Sequence, residues 1–455
     1  MFDVHSHKSR LESRKCGALV ELPSGTFDLI VEGTLRRAEM EKTQAARRSV
    51  SAVSENTMFH RRQFLKNSAL VSLAPTLPTF LTRATLAANQ ENNSKGNGRI
   101  LVIIQLDGGN DGINTVVPLR DEGYAKHRDT LRLPEKDLIK LNDEIAFHPR
   151  MRSASKLFEN GRLSVVHGVG YPNPNRSHFE SMAIWHGGTT DEQKRHSGVG
   201  WIGDTISSGN TRPTPHVIHV GDEELPVALR GRRCAAISIS NANDLQFALQ
   251  PRSVPETSNP NVSSLTEFIT RSTADAVASA QEIASSAQNA GSASYPNSEL
   301  ANRLKLVAQM IKSDAAARIY YTAQAGYDTH AAQLPIHANL LGTFSSSLKA
   351  FMDDMKASGL EDRVVVMAFS EFGRRVKEND SDGTDHGTAG PAFLAGTNLT
   401  NRFYGVMPSL LDVDAGDLRH SIDFRDIYAS LITDWLQLRC PETLSKFGMP
   451  LFAAT

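Results

Sequence analysis

Asp107 closes the apolar run LVIIQL at residues 101–106 and is followed by Gly108 and Gly109. A near-continuous Val/Ile/Leu run broken by an acid and two glycines reads as a buried parallel strand. Its carboxylate then stands at the strand's carboxyl end, where open α/β sheets bind ligands. Four more polar groups follow an apolar run or a glycine-bearing turn: Ser177-His178, Asp328 with His330, Glu371, and Asp385-His386. Carboxylates with imidazoles suit zinc, manganese or iron, and carboxylates alone suit magnesium or calcium. In Asp328-Thr329-His330 an extended backbone turns both outer side chains to one side, because strand side chains alternate. Taken singly, each group has a plainer reading, since an aspartate after a strand commonly caps a turn or helix. The whole set, all at strand ends, predicts a divalent metal centre.

The elements that must position these groups alternate. Strands are expected at residues 100–106, 163–167, 215–220, 235–240, 319–323, 364–369 and, as the last strand, 391–395. Helices are expected at 151–160, 302–313, 336–355 and 424–436; the third carries the apolar stripe Leu340, Leu341, Phe344, Leu348, Phe351, Met352 and Met355. Strands alternating with helices predict an α/β layered domain with a mostly parallel sheet, whose carboxyl ends share one edge. Residues 251–299 turn to Ser, Ala, Asn, Thr and Pro and read as a surface insertion, helical over 265–288, within a single domain spanning 99–451.

Composition excludes some functions. Apolar content of 40% and charged content of 22% are ordinary for a globular chain, and a net charge of −1 implies no nucleic-acid partner. No apolar run reaches the roughly 18 residues of a membrane-spanning helix. Cys16, Cys234 and Cys440 lack metal-ligand spacing; the last two are able to pair in an oxidising compartment.

The amino-terminal region carries its own message. Arg61-Arg62-Gln63-Phe64-Leu65-Lys66 precedes a mildly apolar stretch at 68–81 and the small residues Ala84-Thr85-Leu86-Ala87-Ala88. This order resembles a twin-arginine export signal over 58–88, which implies the twin-arginine translocase as partner and a periplasmic or extracellular destination. Residues 1–57 are charged, weakly periodic and precede Met58, and read as an upstream extension outside the fold.

LVIIQLDGGNDGINTVVPL, GYPNPNRSHFESMAIWH, GYDTH, VVVMAFSEFGRR and GTDHGTAGPAFLAG together resemble the bacterial domain-of-unknown-function family 1501, from about Arg99 to Leu451. That family distantly resembles the alkaline phosphatase and sulfatase superfamily. The resemblance implies an alkaline-phosphatase-like sandwich, a central and mostly parallel sheet between helical layers, with metal at the strand ends. It implies metal ligation by Asp107, by the pair Asp328 and His330, by Glu371, and by His386 beside Asp385. It also implies a hydroxyl nucleophile at Ser177. Two departures stand out: Glu371 has no histidine beside it, and no cysteine lies near Ser177 for formylglycine chemistry.

The activity so implied is exported, metal-dependent hydrolysis of a small anionic ester or of a sulfated or phosphorylated glycan. Ser177 would attack phosphorus or sulfur, His178 would act as general acid or ligand, and Arg176 or Arg374 would clamp the oxyanion. A competing expectation is a non-catalytic envelope binding or assembly protein that keeps the fold. A third, a carbohydrate-active accessory protein, rests on Trp185 and Trp201 and on Asp-rich loops. The same residues have plainer readings: Ser177 as a helix cap with Glu180, Arg374 and Arg375 as a solvated pair at a helix start, the tryptophans as packing, and His148 and His167 as core groups.

Overall fold

The structure is a computed structural model that describes residues 98–208, 216–231, 234, 236–240, 293–313 and 317–453. The upstream extension, the twin-arginine segment, the helix expected over 265–288 and most of the insertion lie outside the described residues.

A nine-stranded sheet organises what is described. Its strands are β1 (Ile100–Asp107), β2 (Leu163–Gly170), β3 (His216–Val220), β4 (Ala236–Ile239), β5 (Ala317–Ala325), β6 (Val364–Phe369), β7 (Gly390–Ala395), β8 (Phe403–Tyr404) and β9 (Ile422–Asp423). The order is β8-β2-β7-β6-β1-β5-β3-β4, with β9 also on β2. β1 pairs in parallel with β5 and β6, and β3 in parallel with β5 and β4. Only β7 runs against its neighbours, antiparallel to both β2 and β6. Its amino end therefore lies at the edge where the other strands have their carboxyl ends. That reversal brings residues just before Gly390, His386 among them, to the same edge as Asp107, Asp328 and Glu371.

The apolar runs form strands because both faces of the sheet are covered. On one face Leu101, Ile103, Tyr321, Val365, Met367, Ala392 and Leu394 join Trp185, Trp201, Tyr428 and Trp435 in one buried cluster. Those aromatics come from helices α2 (His178–Gly187), α3 (Trp201–Ser208) and α6 (Phe424–Ser430), the last continuing into a π turn over Leu431–Trp435. Phe393 lies between Ala392 and Leu394 and so points to the opposite face, where its ring meets Phe344 at 5.6 Å. Phe344 belongs to α5 (Gln333–Ala357), which packs with α1 (Arg152–Glu159) and α4 (Glu299–Lys312) to form the second layer. The architecture is an α/β sandwich, a central and mostly parallel sheet between two helical layers.

Three expectations are corrected. Residues 391–395 are not the last strand: β8 and β9 follow, each two residues long, too short to leave a periodic signal. A small sheet of Val116–Pro118, Ile139–Lys140 and Ile145–Phe147 also went unread for that reason. Arg374 and Arg375 do not open a helix; Arg374 forms an isolated β-bridge with His386. All three tryptophans of the chain are buried, Trp185 stacking between Phe369 and Phe424, so none offers an exposed platform for sugar.

Four histidines, His148, His167, His186 and His337, are buried, and burial lowers their pKa from 6.5 to about 4, 4, 3 and 4. Because each folded value lies below the unfolded one, the unfolded chain takes up these protons first as pH falls. Their contribution is intact above about pH 6.5 and is lost progressively towards pH 4, each adding up to about 1.4 kcal/mol per pH unit. Urea unfolding midpoints should therefore fall steeply between pH 6.5 and 4.5; a flat profile across that range would contradict the buried neutral state.

Candidate metal centre

Four ligand-type atoms converge at the carboxyl edge. Asp328 Oδ1 lies 3.0 Å from His386 Nε2, 3.0 Å from His330 Nε2 and 3.4 Å from His178 Nε2. The Nε2 atoms of His330 and His386 are 2.8 Å apart. His178, Asp328 and His386 offer ligand atoms that all lie within 4.8 Å of one another. Lone pairs crowded this way repel unless a proton or a cation lies between them.

Separate elements deliver the four. His178 is the first residue of α2, with Ser177 at its N-cap. Asp328 and His330 lie on the loop after β5, and Thr329 between them turns inward and is buried. His386 precedes β7. Gly108 and Gly109, at φ +115° and +79°, let the β1 end turn beneath this loop; a Cβ on Gly108 would stand 2.5 Å from Asp328 N.

Each imidazole is gripped from behind through Nδ1. His178 Nδ1 lies 2.8 Å from Glu371 Oε1, His330 Nδ1 3.3 Å from Asp385 Oδ1, and His386 Nδ1 2.8 Å from the Arg176 carbonyl. Carboxylates and carbonyls only accept, so Nδ1 carries the proton in each ring and a neutral ring turns its Nε2 lone pair to the centre. Metal-binding histidines are held in this way. Nε2 of His178 is buried and makes no hydrogen bond. Phe372 closes one side, its ring 4.9 Å from the rings of His178 and His386.

The electrostatics follow the contacts. The hydrogen bond to Glu371 raises the His178 pKa against burial, whereas burial lowers that of His386. Burial would raise Asp328, but Arg374, His386 and His330 together outweigh it and hold the carboxyl at about 2. Burial and the nearby charge of Glu371 raise Asp107.

Of the six residues expected as ligands, Asp328, His330 and His386 meet at the centre. Glu371 and Asp385 stand behind His178 and His330 instead. Glu371 is fully buried and occupied, accepting also from Gly108 N at 2.9 Å and Ser370 Oγ at 3.1 Å. Asp107 accepts from Gln105 Nε2 at 2.9 Å and lies outside the converging group. His178, expected as acid or ligand, is aimed as a ligand. Ser177 is exposed, and although it is the N-cap, its hydroxyl makes no capping bond; Glu180 pairs with Arg195 at 2.8 Å, so no capping box forms.

The arginines depart furthest from expectation. Arg374 is buried and donates to the carbonyls of Gly109, Thr384, Gly108 and Tyr327 and to Asp328 Oδ1, leaving no free face for a substrate anion. Arg176 pairs with the buried Asp417. Sequence reasoning missed Thr329, Thr384 and Gln333, which bond to one another behind the ligands. Position beside an expected ligand, Asp328 and His330 for Thr329 and Asp385 for Thr384, was the only signal the two threonines gave. Cys234 and Cys440 are free thiols.

The sequence matches the family described as protein of unknown function (DUF1501) over residues 99–434, and the chain belongs to that family. No curated protein matches it. Among solved structures it is similar to the C-terminal periplasmic domain of EptC from Escherichia coli in complex with Zn (TM-score 0.39, 8% identity, 79% of this chain and 92% of that one). A protein of the alkaline phosphatase superfamily from Vibrio parahaemolyticus gives a TM-score of 0.35 at 11% identity, covering 75% of each chain. Murine ectonucleotide pyrophosphatase/phosphodiesterase 5, in complex with AMP, gives 0.35 at 10%, covering 75% of this chain and 96% of that one. Among the described residues no helix is long and apolar enough to cross a membrane.

If Glu371 acts through His178, Glu371→Gln should weaken zinc binding about 10–100-fold. Asp328→Ala, which removes a ligand atom, should abolish stoichiometric binding in calorimetric titration. Equal affinity in Glu371→Gln and wild type would contradict the supporting role.

Proposed function

We propose that this chain is an exported, metal-dependent hydrolase of phosphate or sulfate esters. The observation that carries the metal reading is the convergence of three imidazole Nε2 atoms on Asp328 Oδ1, each ring anchored through Nδ1. Three nitrogen donors and one carboxylate favour zinc, with iron and manganese next; magnesium and calcium prefer all-oxygen sets, which this group is not. A bound divalent ion would supply Lewis acidity to an ester oxygen and attract an anionic substrate.

The chain's own residues supply the rest. Ser177 presents an uncapped hydroxyl at the amino end of α2, whose dipole favours negative charge there. Asn175 Oδ1 accepts from Ser177 N at 2.8 Å and fixes the backbone beside it. In this reading Ser177 Oγ bonds to phosphorus or sulfur as the bond to the alcohol oxygen breaks, the hydroxyl proton ends on the departing alcohol, and water later cleaves the Oγ bond to release phosphate or sulfate and restore the serine. Arg176, exposed and next to Ser177 in sequence, would leave Asp417 to clamp the anion. Export rests on Arg61-Arg62 and the segment after them; twin-arginine export would deliver the chain to the periplasm or beyond, and fractionation of cells expressing the full chain tests it.

One observation favours a second reading, a non-catalytic envelope protein that binds metal. Arg374 and Arg176 are both engaged with the protein, and a tetrahedral anion needs such a clamp. Turnover of aryl phosphate and sulfate esters decides between the two. The hydrolase reading expects measurable turnover with zinc, lowered at least about a thousandfold in Ser177→Ala with metal content unchanged. Full metal content with no turnover on either ester class would favour the binding protein.

A further inference from the structure

Gln333, the first residue of α5, is fully buried and touches none of the four converging atoms. Its Nε2 donates to Asp111 Oδ2 at 2.5 Å, and its Oε1 accepts from Thr329 Oγ1 at 3.0 Å and Thr384 Oγ1 at 2.6 Å. Chemistry fixes this orientation of the amide. The Asp111 carboxylate only accepts, so the amide nitrogen faces it, and both hydroxyls must then donate to the amide oxygen. Asp111 cannot drift, because Arg128 holds it from the far side at 2.6 and 3.1 Å in a fully buried pair.

The two threonines belong to the two loops that build the centre. Thr329 stands between Asp328 and His330, and Thr384 stands two residues before His386. The loops also meet directly, with Thr384 N donating to Thr329 O at 3.2 Å. A single buried amide oxygen thus ties together the segments that carry three of the four converging side chains, and ties both to a fixed ion pair.

We infer that Gln333 is the positioning residue of the metal centre, setting the distance of Asp328 and His330 from His386 through the hydroxyls of Thr329 and Thr384. The inference rests on the metal reading above. It goes further in naming the buried group that decides how tightly the centre binds. Two kinds of substitution isolate it. Thr384→Val keeps the volume and removes the hydroxyl, whereas Thr384→Ser keeps the hydroxyl. Gln333→Glu keeps an acceptor for both threonines but sets a second carboxylate against Asp111, where like charges repel.

The test is zinc affinity of the full chain, measured by competition with a chelating dye, beside the melting temperature of the metal-free protein. Thr384→Val and Gln333→Glu should bind zinc about 10–100-fold more weakly, and Thr384→Ser should stay close to wild type. Loss of melting temperature with unchanged affinity in the folded variants would overturn the inference and leave the centre standing. Equal losses in Thr384→Ser and Thr384→Val would overturn it too, because the hydroxyl would then not be the coupling group. A wild type that takes up no zinc would overturn both the centre and this inference. Should Thr384→Val not fold, Gln333→Glu against Thr384→Ser gives the same decision.

Discussion

The guanidinium of Arg374 joins the ends of the chain segments that form the centre. Nε donates to Gly109 O at 2.6 Å and Nη1 to Thr384 O at 2.8 Å, while Nη2 reaches Gly108 O, Tyr327 O and Asp328 Oδ1. Those partners belong to the turn after β1, the loop after β5 and the segment before β7. A buried cation is tolerated only when its donors are matched, and here backbone carbonyls match them where strand ends leave carbonyls without ladder partners. The same contact holds Asp328 ionised at the centre. Everything nearer the ligands, including the glycine turn at 108–109 and the approach of His386, depends on this knot.

Around it the centre is layered. Four converging atoms stand innermost, behind them Glu371, Asp385 and the Arg176 carbonyl orient the imidazoles, and behind those Gln333 and the Asp111–Arg128 pair brace the loops. The anchors are neutral carbonyl, exposed carboxylate and buried carboxylate, so the three rings are not equivalent. His178, whose carboxylate partner is fully buried, is the most firmly held; His330, whose partner Asp385 is exposed, is held least.

Much of this was legible in the sequence because parallel strands announce themselves. Unbroken apolar runs such as those at 100–106 and 364–369 located the core strands, and the polar residue after each located the edge. The pair Asp328 and His330 was legible for a similar reason, since alternation turns both to one side. What the sequence could not show was depth. Glu371 and Asp385 carry the same chemistry as Asp328, and only the fold determines that they face the back of an imidazole rather than its front. Arg374 read either as an anion clamp or as a solvated arginine, because nothing local reveals that the turn after β1, the loop after β5 and the segment before β7 all aim carbonyls at it. Gln333 fell outside the helix expected over 336–355, and its partners lie 4 and 51 residues away in sequence and 222 residues away at Asp111.

The central claim is that three Nε2 atoms and one carboxylate oxygen form a metal centre oriented by the groups behind them. X-ray absorption of the zinc-loaded protein tests it most directly. The account predicts a low-coordinate first shell of nitrogen and oxygen at about 2.0–2.1 Å with the outer-shell scattering of several imidazoles. A shell of light oxygen atoms without imidazole scattering, or zinc bound through sulfur, would contradict it.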